Sequence, residues 1–146
     1  MKLVQFEKED LETYMRLATE FHSGPATFTP PNEAVFKRNF EHIIEQETAY
    51  GFFIYHDDHL AGYALCSEMF STEVGGMSLW LEEISVHEDF QGQGLGSQTI
   101  GMIIDAFPNI KRFRLEVAPS NDMAIKLYEK LGYHFLKYEQ MVYDRK

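Results

Sequence analysis

The first third of the chain changes from strand-type to helix-type spacing of its apolar residues. A short alternating run from Leu3 to Phe6 predicts a strand, and apolar positions three to four residues apart then predict a helix. A second helix is expected after a segment rich in proline and glycine, Ser23 to Asn32, because Asn32 can cap its first turn. The inward-facing positions of the two helices are Leu11, Tyr14, Met15, Ala18, Phe36, Phe40 and Ile43.

The middle of the chain is rich in aromatic and β-branched residues, which favour strands. Two apolar runs joined by the polar turn from His56 to His59 are typical of a hairpin. A second turn, 71–76, leads to a further strand, 77–87, whose apolar pattern is interrupted by the adjacent residues Glu82 and Glu83. We therefore expect three consecutive strands that pair in sequence.

The last third alternates between helical and strand patterns. A helical repeat begins at Gly96 and stops at Pro108, a strand is predicted at 112–118, and a second helical repeat ends at Gly132. The alternating segment 133–143 predicts a closing strand. The apolar stripes of the two helices are Ile100, Ile103, Ile104 and Phe107, followed by Ala124, Leu127, Tyr128 and Leu131. The order β-α-α-β-β-β-α-β-α-β, without repeats or a linker, predicts a single α/β domain over residues 1–146.

Composition and charge restrict the possible partners. The chain has 146 residues, 45% of them apolar and 25% charged, which is typical of one globular domain. Its net charge of −10 argues against a nucleic-acid partner, since phosphate binding needs a basic surface. Residues 1–110 carry five Lys and Arg against eighteen Asp and Glu, whereas residues 111–146 carry eight against five. This asymmetry fits a cationic ligand near the early segment and an anionic ligand near the late one.

Several absences in the sequence bear on location and chemistry. The N-terminus lacks an apolar run of signal-peptide length and no stretch is long enough to span a membrane, so we expect a soluble, cytoplasmic protein. The single cysteine, Cys66, has apolar neighbours and is expected to be a reduced core thiol. The histidines at 22, 42, 56, 59, 87 and 134 show no metal-binding spacing, and we predict no metal site.

A glycine-rich loop between the strand at 77–87 and the next helix is the clearest chemical signal. Its glycines Gly92, Gly94 and Gly96 do not have the spacing of a dinucleotide fingerprint, and the loop lacks the lysine of a nucleotide P-loop. A strand, a glycine loop and a helix start still bring backbone N–H groups together at one point, which suits a pyrophosphate. A tight turn without a ligand is the alternative interpretation.

Two motifs together give the loop a more specific meaning. The segment Q-G-Q-G-L-G at 91–96 and the segment N-D-M-A-I-K-L-Y-E-K-L-G-Y at 121–133 resemble the paired motifs of the GCN5-related N-acetyltransferase (GNAT) superfamily. The strand reading W-L-E-E-I-S-V is most similar to the branch that acetylates polyamines and other small amines. The resemblance implies a GNAT fold, in which a single mixed, mostly antiparallel and twisted sheet is flanked by about four helices.

The resemblance also implies an acetyl-CoA site. The backbone of the glutamate strand would pair with the pantetheine arm, the loop amides would receive the pyrophosphate, and an asparagine would bind the arm from the far side. The implied cofactor-binding residues are Ile84, Ser85, Val86, Gln91, Gly92, Gln93, Gly94, Leu95, Gly96, Ser97 and Asn121. Gln91 and Gln93 stand where many relatives carry a basic residue, so we expect nearby cations such as Lys126 and Lys130 to assist.

Acetyl transfer to an amine needs a proton acceptor for the ammonium and a proton donor for the leaving thiolate. Glu82 and Glu83 are the candidate acceptors, and we favour Glu82 because it matches the position that binds or deprotonates the amine in polyamine-like relatives. A bulge in this strand would turn both glutamates toward the cleft. Tyr128 matches the general-acid tyrosine of the family. Solvated carboxylates and a purely packing tyrosine are the alternatives.

These observations lead to a hypothesis about function with two rivals. We expect an N-acetyltransferase that moves acetyl from acetyl-CoA to a primary amine of a small, cationic, polyamine-like acceptor by direct attack in a ternary complex. The acceptor is expected between the segment Ser23 to Pro31 and the glutamate strand. The rivals are a protein or peptide acetyltransferase, acting on N-termini or lysines, and a non-catalytic acyl-CoA-binding regulatory module. The aromatic residues of segment 133–143 suggest a homodimer.

Overall fold

The computed structural model of the chain describes residues 1–145 and arranges them as one sheet with four α-helices. The strands are β1 Lys2–Gln5, β2 Ala49–His56, β3 His59–Ser71, β4 Gly76–Val86 and β5 Arg112–Leu115. The helices are α1 Leu11–His22, α2 Glu33–Glu45, α3 Leu95–Ala106 and α4 Asp122–Lys130. From β1 to α4, the elements follow the order predicted from the sequence.

The five strands lie in the order β1-β2-β3-β4-β5, so that each strand is hydrogen-bonded to its neighbour in sequence. The pairs from β1 to β4 are antiparallel, whereas β5 runs parallel to β4 because α3 carries the chain back across the sheet. β4 pairs with β3 as far as Val86, but it pairs with β5 only from Ser78 to Leu81. The last part of β4 therefore has a free edge on the side of β5.

The two faces of the sheet support separate apolar clusters. Tyr63 and Leu65 of β3 pack against α1 and α2, while Ala64 and Cys66 face the cluster around Ile103 of α3. Adjacent strand residues point to opposite faces, so one strand contributes to both clusters. The first cluster is mostly aromatic and includes Phe6, Tyr14, Phe36, Phe40 and Phe53.

Among residues 1–145, no helix is long and apolar enough to cross a membrane.

Local sequence signals explain several of the boundaries. The Asn32 side chain accepts a hydrogen bond from the Val35 amide at 3.2 Å and so caps α2, as predicted. Asp57 and Asp58 connect β2 to β3 with φ values of 50° and 64°, which is the left-handed geometry that a two-residue hairpin turn requires. The predicted turns at 56–59 and 71–76 are therefore confirmed.

The prediction of a closing strand at 133–143 was wrong. This segment contains no strand in the structure, and β5 remains the edge of the sheet. A cavity of about 740 Å³ lies between β5 and residues 133–140, so the two backbones do not form a ladder. An alternating apolar pattern becomes a strand only when a neighbouring edge accepts its hydrogen bonds. The side chains that the pattern placed in a sheet are instead exposed, among them Phe135, Tyr138 and Tyr143.

Candidate active site

The glycine loop presents a row of backbone amides at the start of α3. Gly92 and Gly94 have φ values of 79° and 77°, a conformation that side chains disfavour. Among residues 1–145, no amide from Gly92 to Ser97 donates to a backbone or side-chain acceptor, and the first bonded amide is that of Gln98, at 3.0 Å from the Gly94 carbonyl. Unpaired amides at the positive end of a 12-residue helix are a suitable binding site for an anion.

The loop is fixed on both sides by the surrounding structure. The Gln91 side chain donates from Nε2 to the Val86 carbonyl at 2.9 Å, which ties the loop to the end of β4. The Leu95 side chain is buried and anchors the first turn of α3. A Cβ atom on Gly96 would lie 3.8 Å from Leu127, so α4 approaches the start of α3 closely. Gln93 is exposed. Gln91 thus fixes the loop through a hydrogen bond and supplies no charge to it.

The free edge of β4 lies next to this loop. Ile84, Ser85 and Val86 pair with β3 on one side, while β5 has already separated from β4 after Leu81. The β5-facing side of these three residues is therefore available for an extended ligand to pair as an added strand. The tie from Gln91 already uses one lone pair of the Val86 carbonyl.

Of the predicted residues in the late segment, Asn121 is the N-cap of α4 and Tyr128 lies within this helix. Asn121 caps α4 by accepting a hydrogen bond from the Ala124 amide at 3.2 Å, which leaves its side-chain NH₂ group for other partners. Tyr128 is half-buried, and burial raises the pKa of its phenol. Tyr128 is protonated at neutral pH, like an ordinary tyrosine, and its burial makes the phenol a weaker acid. The exposed Lys126 and Lys130 are the cations of this helix.

The cavity of about 740 Å³ includes only part of the predicted site. Tyr128 lines it together with Leu115, Glu116 and the segment after α4. Neither the glycine loop nor the two glutamates belong to its lining. The structure thus brings the loop and the end of β4 together, while Tyr128 faces the cavity beside β5.

Glu82 occupies a β-bulge, as the sequence suggested. Glu83 pairs with Leu65 and Leu81 pairs with Cys66, so Glu82 has no partner residue on β3. Partial burial raises the pKa of Glu82, and the neighbouring carboxylates of Glu116 and Glu83 add to this effect. Although the side chain is exposed, its carboxyl group lies in an environment that favours proton uptake.

Glu83 has different surroundings, on the face of the sheet that packs against α1 and α2. The Tyr63 hydroxyl donates to Glu83 Oε1 at 2.6 Å. His22 Nε2 lies 3.5 Å from the same oxygen, and the side chains of His22 and Glu83 are only 11% and 15% exposed. Burial, followed by the charge of Glu83, raises the pKa of Tyr63. The structure therefore places Glu83, and not Glu82, in a hydrogen-bonded cluster beside the segment Ser23 to Pro31.

His22 and Tyr63 were not predicted as site residues. Tyr63 lies in an apolar strand pattern, and His22 is a single histidine before a proline-rich segment. Their only chemical signal is the contact with Glu83, which depends on the packing of α1 on the sheet. Cys66 is buried at 1% exposure, and burial raises the pKa of its thiol to about 12, so it is a core residue as expected.

Comparisons with known proteins agree with this geometry. A sequence model described as the acetyltransferase (GNAT) family matches residues 11–133. The chain is 35% identical over 75 residues to a thialysine N-epsilon-acetyltransferase of Sus scrofa, covering 50% of this chain and 44% of that protein. It is 26% identical over 87 residues to a spermine/spermidine N(1)-acetyltransferase of Bacillus subtilis, covering 56% of this chain and 57% of that protein. The alignments thus span about half the length of these relatives.

The fold is also found among solved structures. An aminoglycoside N-acetyltransferase in complex with CoA superimposes with a TM-score of 0.76 at 22% identity, covering 99% of this chain and 93% of the other. At this identity the likeness concerns the fold alone. The family match, however, extends over most of the chain and includes both the glycine loop and α4. From the strand order, the amide-lined loop and this match, we conclude that the chain belongs to the acetyltransferase (GNAT) family.

Proposed function

We propose that this protein transfers an acetyl group from acetyl-CoA to a primary amine of a small, cationic acceptor. The observation that carries the proposal is the cleft where β4 separates from β5 after Leu81. One end of this cleft has the unpaired amides of residues 92–97, and two carboxylates lie on the strand that forms its wall. An anionic, extended cosubstrate and a cationic acceptor both find complementary groups there.

The amides from Gly92 to Ser97 fit the pyrophosphate of acetyl-CoA, because an anion satisfies several unpaired N–H donors at once. The free edge of Ile84 to Val86 fits the amide groups of the pantetheine arm. The side-chain NH₂ group of Asn121 would donate to this arm from α4. Lys126 and Lys130 supply positive charge that the loop itself lacks.

Glu82 is our candidate for the group that removes the proton from the acceptor. An amine with a pKa of about 10.4 is almost fully protonated at neutral pH and cannot attack in that form. A carboxylate with a raised pKa accepts this proton more readily than an ordinary glutamate does. The free amine then forms the C–N bond to the acetyl carbon as the C–S bond of the thioester breaks.

Tyr128 is our candidate for the proton donor to the leaving sulfur. Its phenol is uncharged at neutral pH, as that of any tyrosine is, and burial raises its pKa further. Such a donor neutralises the thiolate as it leaves and can recover its proton from the acylated nitrogen. Both proton transfers occur within one ternary complex. The buried Cys66 is not exposed to act as a covalent acetyl carrier, which is consistent with direct transfer.

The cationic nature of the acceptor rests on charge and on the relatives. Eighteen Asp and Glu in residues 1–110 create a negative field around the glutamate strand. The two relatives are named for thialysine and for spermine and spermidine, which are all amines with positive charge at neutral pH. We extend this substrate class to the present chain as part of the proposal.

The test is acetyl-CoA-dependent thiol release with a panel of polyamines, amino acids, aminoglycosides and short peptides. We expect turnover with one cationic small-amine class, and a loss of at least about tenfold in kcat for both Glu82→Gln and Tyr128→Phe. The exposed residues Glu47 and Tyr143 provide the matched controls Glu47→Gln and Tyr143→Phe, which should retain activity. Turnover of peptides alone would favour protein acetylation, and acetyl-CoA binding without any turnover would favour a regulatory module.

A further inference from the structure

The last strand of the sheet has one side that no other strand covers. β5 is hydrogen-bonded to β4 on one side, and its other side is the edge of the sheet. Among residues 1–145, no backbone group from 112 to 117 forms a hydrogen bond on that open side. A row of unpaired N–H and C=O groups is a template for pairing with another extended segment, and folded proteins usually cover such edges. β5 therefore offers a place for one further strand.

The cavity of about 740 Å³ lies directly against this open edge. It is enclosed by β5, α4 and residues 133–140, and its lining includes the rings of Trp80, Phe113 and Phe135. The indole Nε1 of Trp80 is buried and has no hydrogen-bond partner among the described residues. An apolar space beside an unpaired strand edge fits an extended peptide, because its backbone pairs with the edge while alternate side chains enter the space.

The chain itself contains a segment with the properties that this space requires. Met141, Val142 and Tyr143 are 99%, 84% and 87% exposed, the longest run of exposed large apolar residues in the described part of the chain. Residues 139–144 contain neither proline nor glycine, and valine and tyrosine favour strands. A contiguous apolar surface of this kind is typical of an interaction site. The segment 139–144 is therefore the candidate occupant of the cavity.

The charges of the segment and of β5 are complementary. Residues 139–144 include the carboxylates of Glu139 and Asp144 and no basic residue, whereas Arg112 and Arg114 lie on β5. Opposite charges on neighbouring strands attract each other, so the acidic segment gains more from this edge than a basic one would. The charge pattern thus favours the same pairing as the apolar run.

The course of the chain indicates which copy supplies the segment. Residues 133–140 contribute to the lining of the cavity, and Met141, Val142 and Tyr143 do not. The chain therefore leaves the cavity after Gln140, and it would have to turn back directly to fill its own space. A second copy brings the segment from outside, and a two-fold axis allows each copy to fill the cavity of the other.

We propose that residues 139–144 of one copy of this chain pair as a strand with the open edge of β5 in a second copy, and that the exchange is reciprocal. The interaction is non-covalent. It goes beyond the proposed function and does not depend on it, since neither acetyl-CoA nor an acceptor takes part. Each copy gains a sixth strand, and the apolar run leaves the solvent. The homodimer expected from the aromatic residues of segment 133–143 thereby receives a specific surface.

The first test is sedimentation velocity over a wide range of protein concentration. Wild type should form a dimer, and Met141→Lys should raise the dimer dissociation constant at least about tenfold, because a charge would enter an apolar contact. The single chain should tolerate this change, since the Met141 side chain is almost fully exposed. The matched control is Met123→Lys on α4, where the methionine is 86% exposed and does not line the cavity. This control should associate like wild type.

Two further measurements locate the contact within the dimer. Trp80 is the single tryptophan of the chain and lines the cavity, so its fluorescence maximum should move to longer wavelength when dilution separates the copies. Hydrogen exchange of the β5 amides should be slower in the dimer than in the monomer. All three experiments use the protein without acetyl-CoA or acceptor, so their failure is distinguishable from failure of the proposed function.

Several outcomes would overturn the inference. Wild type that remains monomeric at every concentration contradicts it directly. A Met141→Lys variant that associates as tightly as Met123→Lys would place the interface elsewhere. Slow exchange of the β5 amides in a monomer would show that the chain covers its own edge. A fluorescence maximum of Trp80 that is the same in monomer and dimer would show that the cavity is not filled.

Discussion

Glu82 and Glu83 are adjacent, yet their chemical environments differ because β4 bulges between Leu81 and Glu83. Glu82 is exposed near the carboxylate of Glu116, and its pKa is raised. Glu83 is nearly buried and receives a hydrogen bond from Tyr63. In a regular strand the two side chains would point to opposite faces and only one would reach the cleft. The bulge is therefore the local feature that gives the two neighbouring carboxylates different surroundings.

The raised pKa of Glu82 has a consequence for stability. Because the folded-state pKa lies above that of the unfolded chain, ionisation of Glu82 opposes folding. The protonated form contributes fully to the free energy of unfolding below the pKa of the unfolded chain. This contribution is lost as the pH rises through the pKa of the folded protein. Glutamine mimics the uncharged form, so Glu82→Gln should melt above wild type near pH 7, and this offset should shrink as the pH falls toward the ordinary pKa of a glutamate. An offset that stays the same over this pH range in thermal scans would contradict this origin.

At the scale of single elements, the start of α3 joins an unusual loop to an ordinary helix. Gly94 precedes the first turn with a φ of 77°, and a Cβ there would meet nothing closer than 3.9 Å. Gly101 lies within the helix, and a Cβ there would meet no atom within 4 Å. The two glycines thus differ in backbone conformation and hardly in available space, which allows the effect of conformation to be measured alone.

Alanine substitutions at these two positions should have opposite effects. Gly94→Ala should destabilise the fold by about 1–2 kcal/mol, because an L-residue is strained at positive φ. Gly101→Ala should stabilise it by up to about 1 kcal/mol, the difference between glycine and alanine inside a helix. Denaturant unfolding of both variants measures this contrast. If both substitutions destabilise equally, the loop conformation is not what makes Gly94 necessary.

At the scale of the whole molecule, the charge distribution matters more than any single ion pair. The chain carries a net charge of −10, and the acidic excess lies in residues 1–110, which include β1 to β4 and the helices α1 to α3. Several basic residues lie on or next to β5 and α4, namely Lys111, Arg112, Arg114, Lys126 and Lys130, and Arg112 pairs with Glu73 at 2.8 Å. A field of this kind attracts cations over longer distances than the contacts of the site itself.

The reaction with a multivalent cation should therefore depend on salt. We expect kcat/KM for spermidine to fall at least about threefold when NaCl is raised from about 20 to about 200 mM, because salt screens the attraction of separated charges. A monoamine with one charge serves as the control and should show a smaller decrease. Steady-state rates at constant pH measure both. Equal salt dependence for the two amines would indicate that the net charge does not guide the acceptor.

Much of the fold was predictable because it depends on local patterns. The apolar spacing predicted four helices and the strands β1 to β5, and Asn32 and the turn at residues 56–59 marked boundaries through their own hydrogen bonds and dihedral angles. The closing strand at 133–143 could not be predicted correctly, since pairing depends on the distance to β5 and not on the pattern alone. The assignments of Glu82, Glu83, Tyr128 and the loop residues remain predictions.

The sequence by itself determined the order of the elements, the glycine loop and its family, because each depends on residues that are close together in the chain. Only the tertiary structure decided which groups from distant parts of the chain meet. His22 ends α1 and Glu83 lies on β4, and their contact exists because α1 packs on the aromatic face of the sheet. The free edge of β4 likewise depends on where β5 separates from it. Such contacts result from the packing of distant segments. The order of residues along the chain does not determine how far apart these segments lie in space.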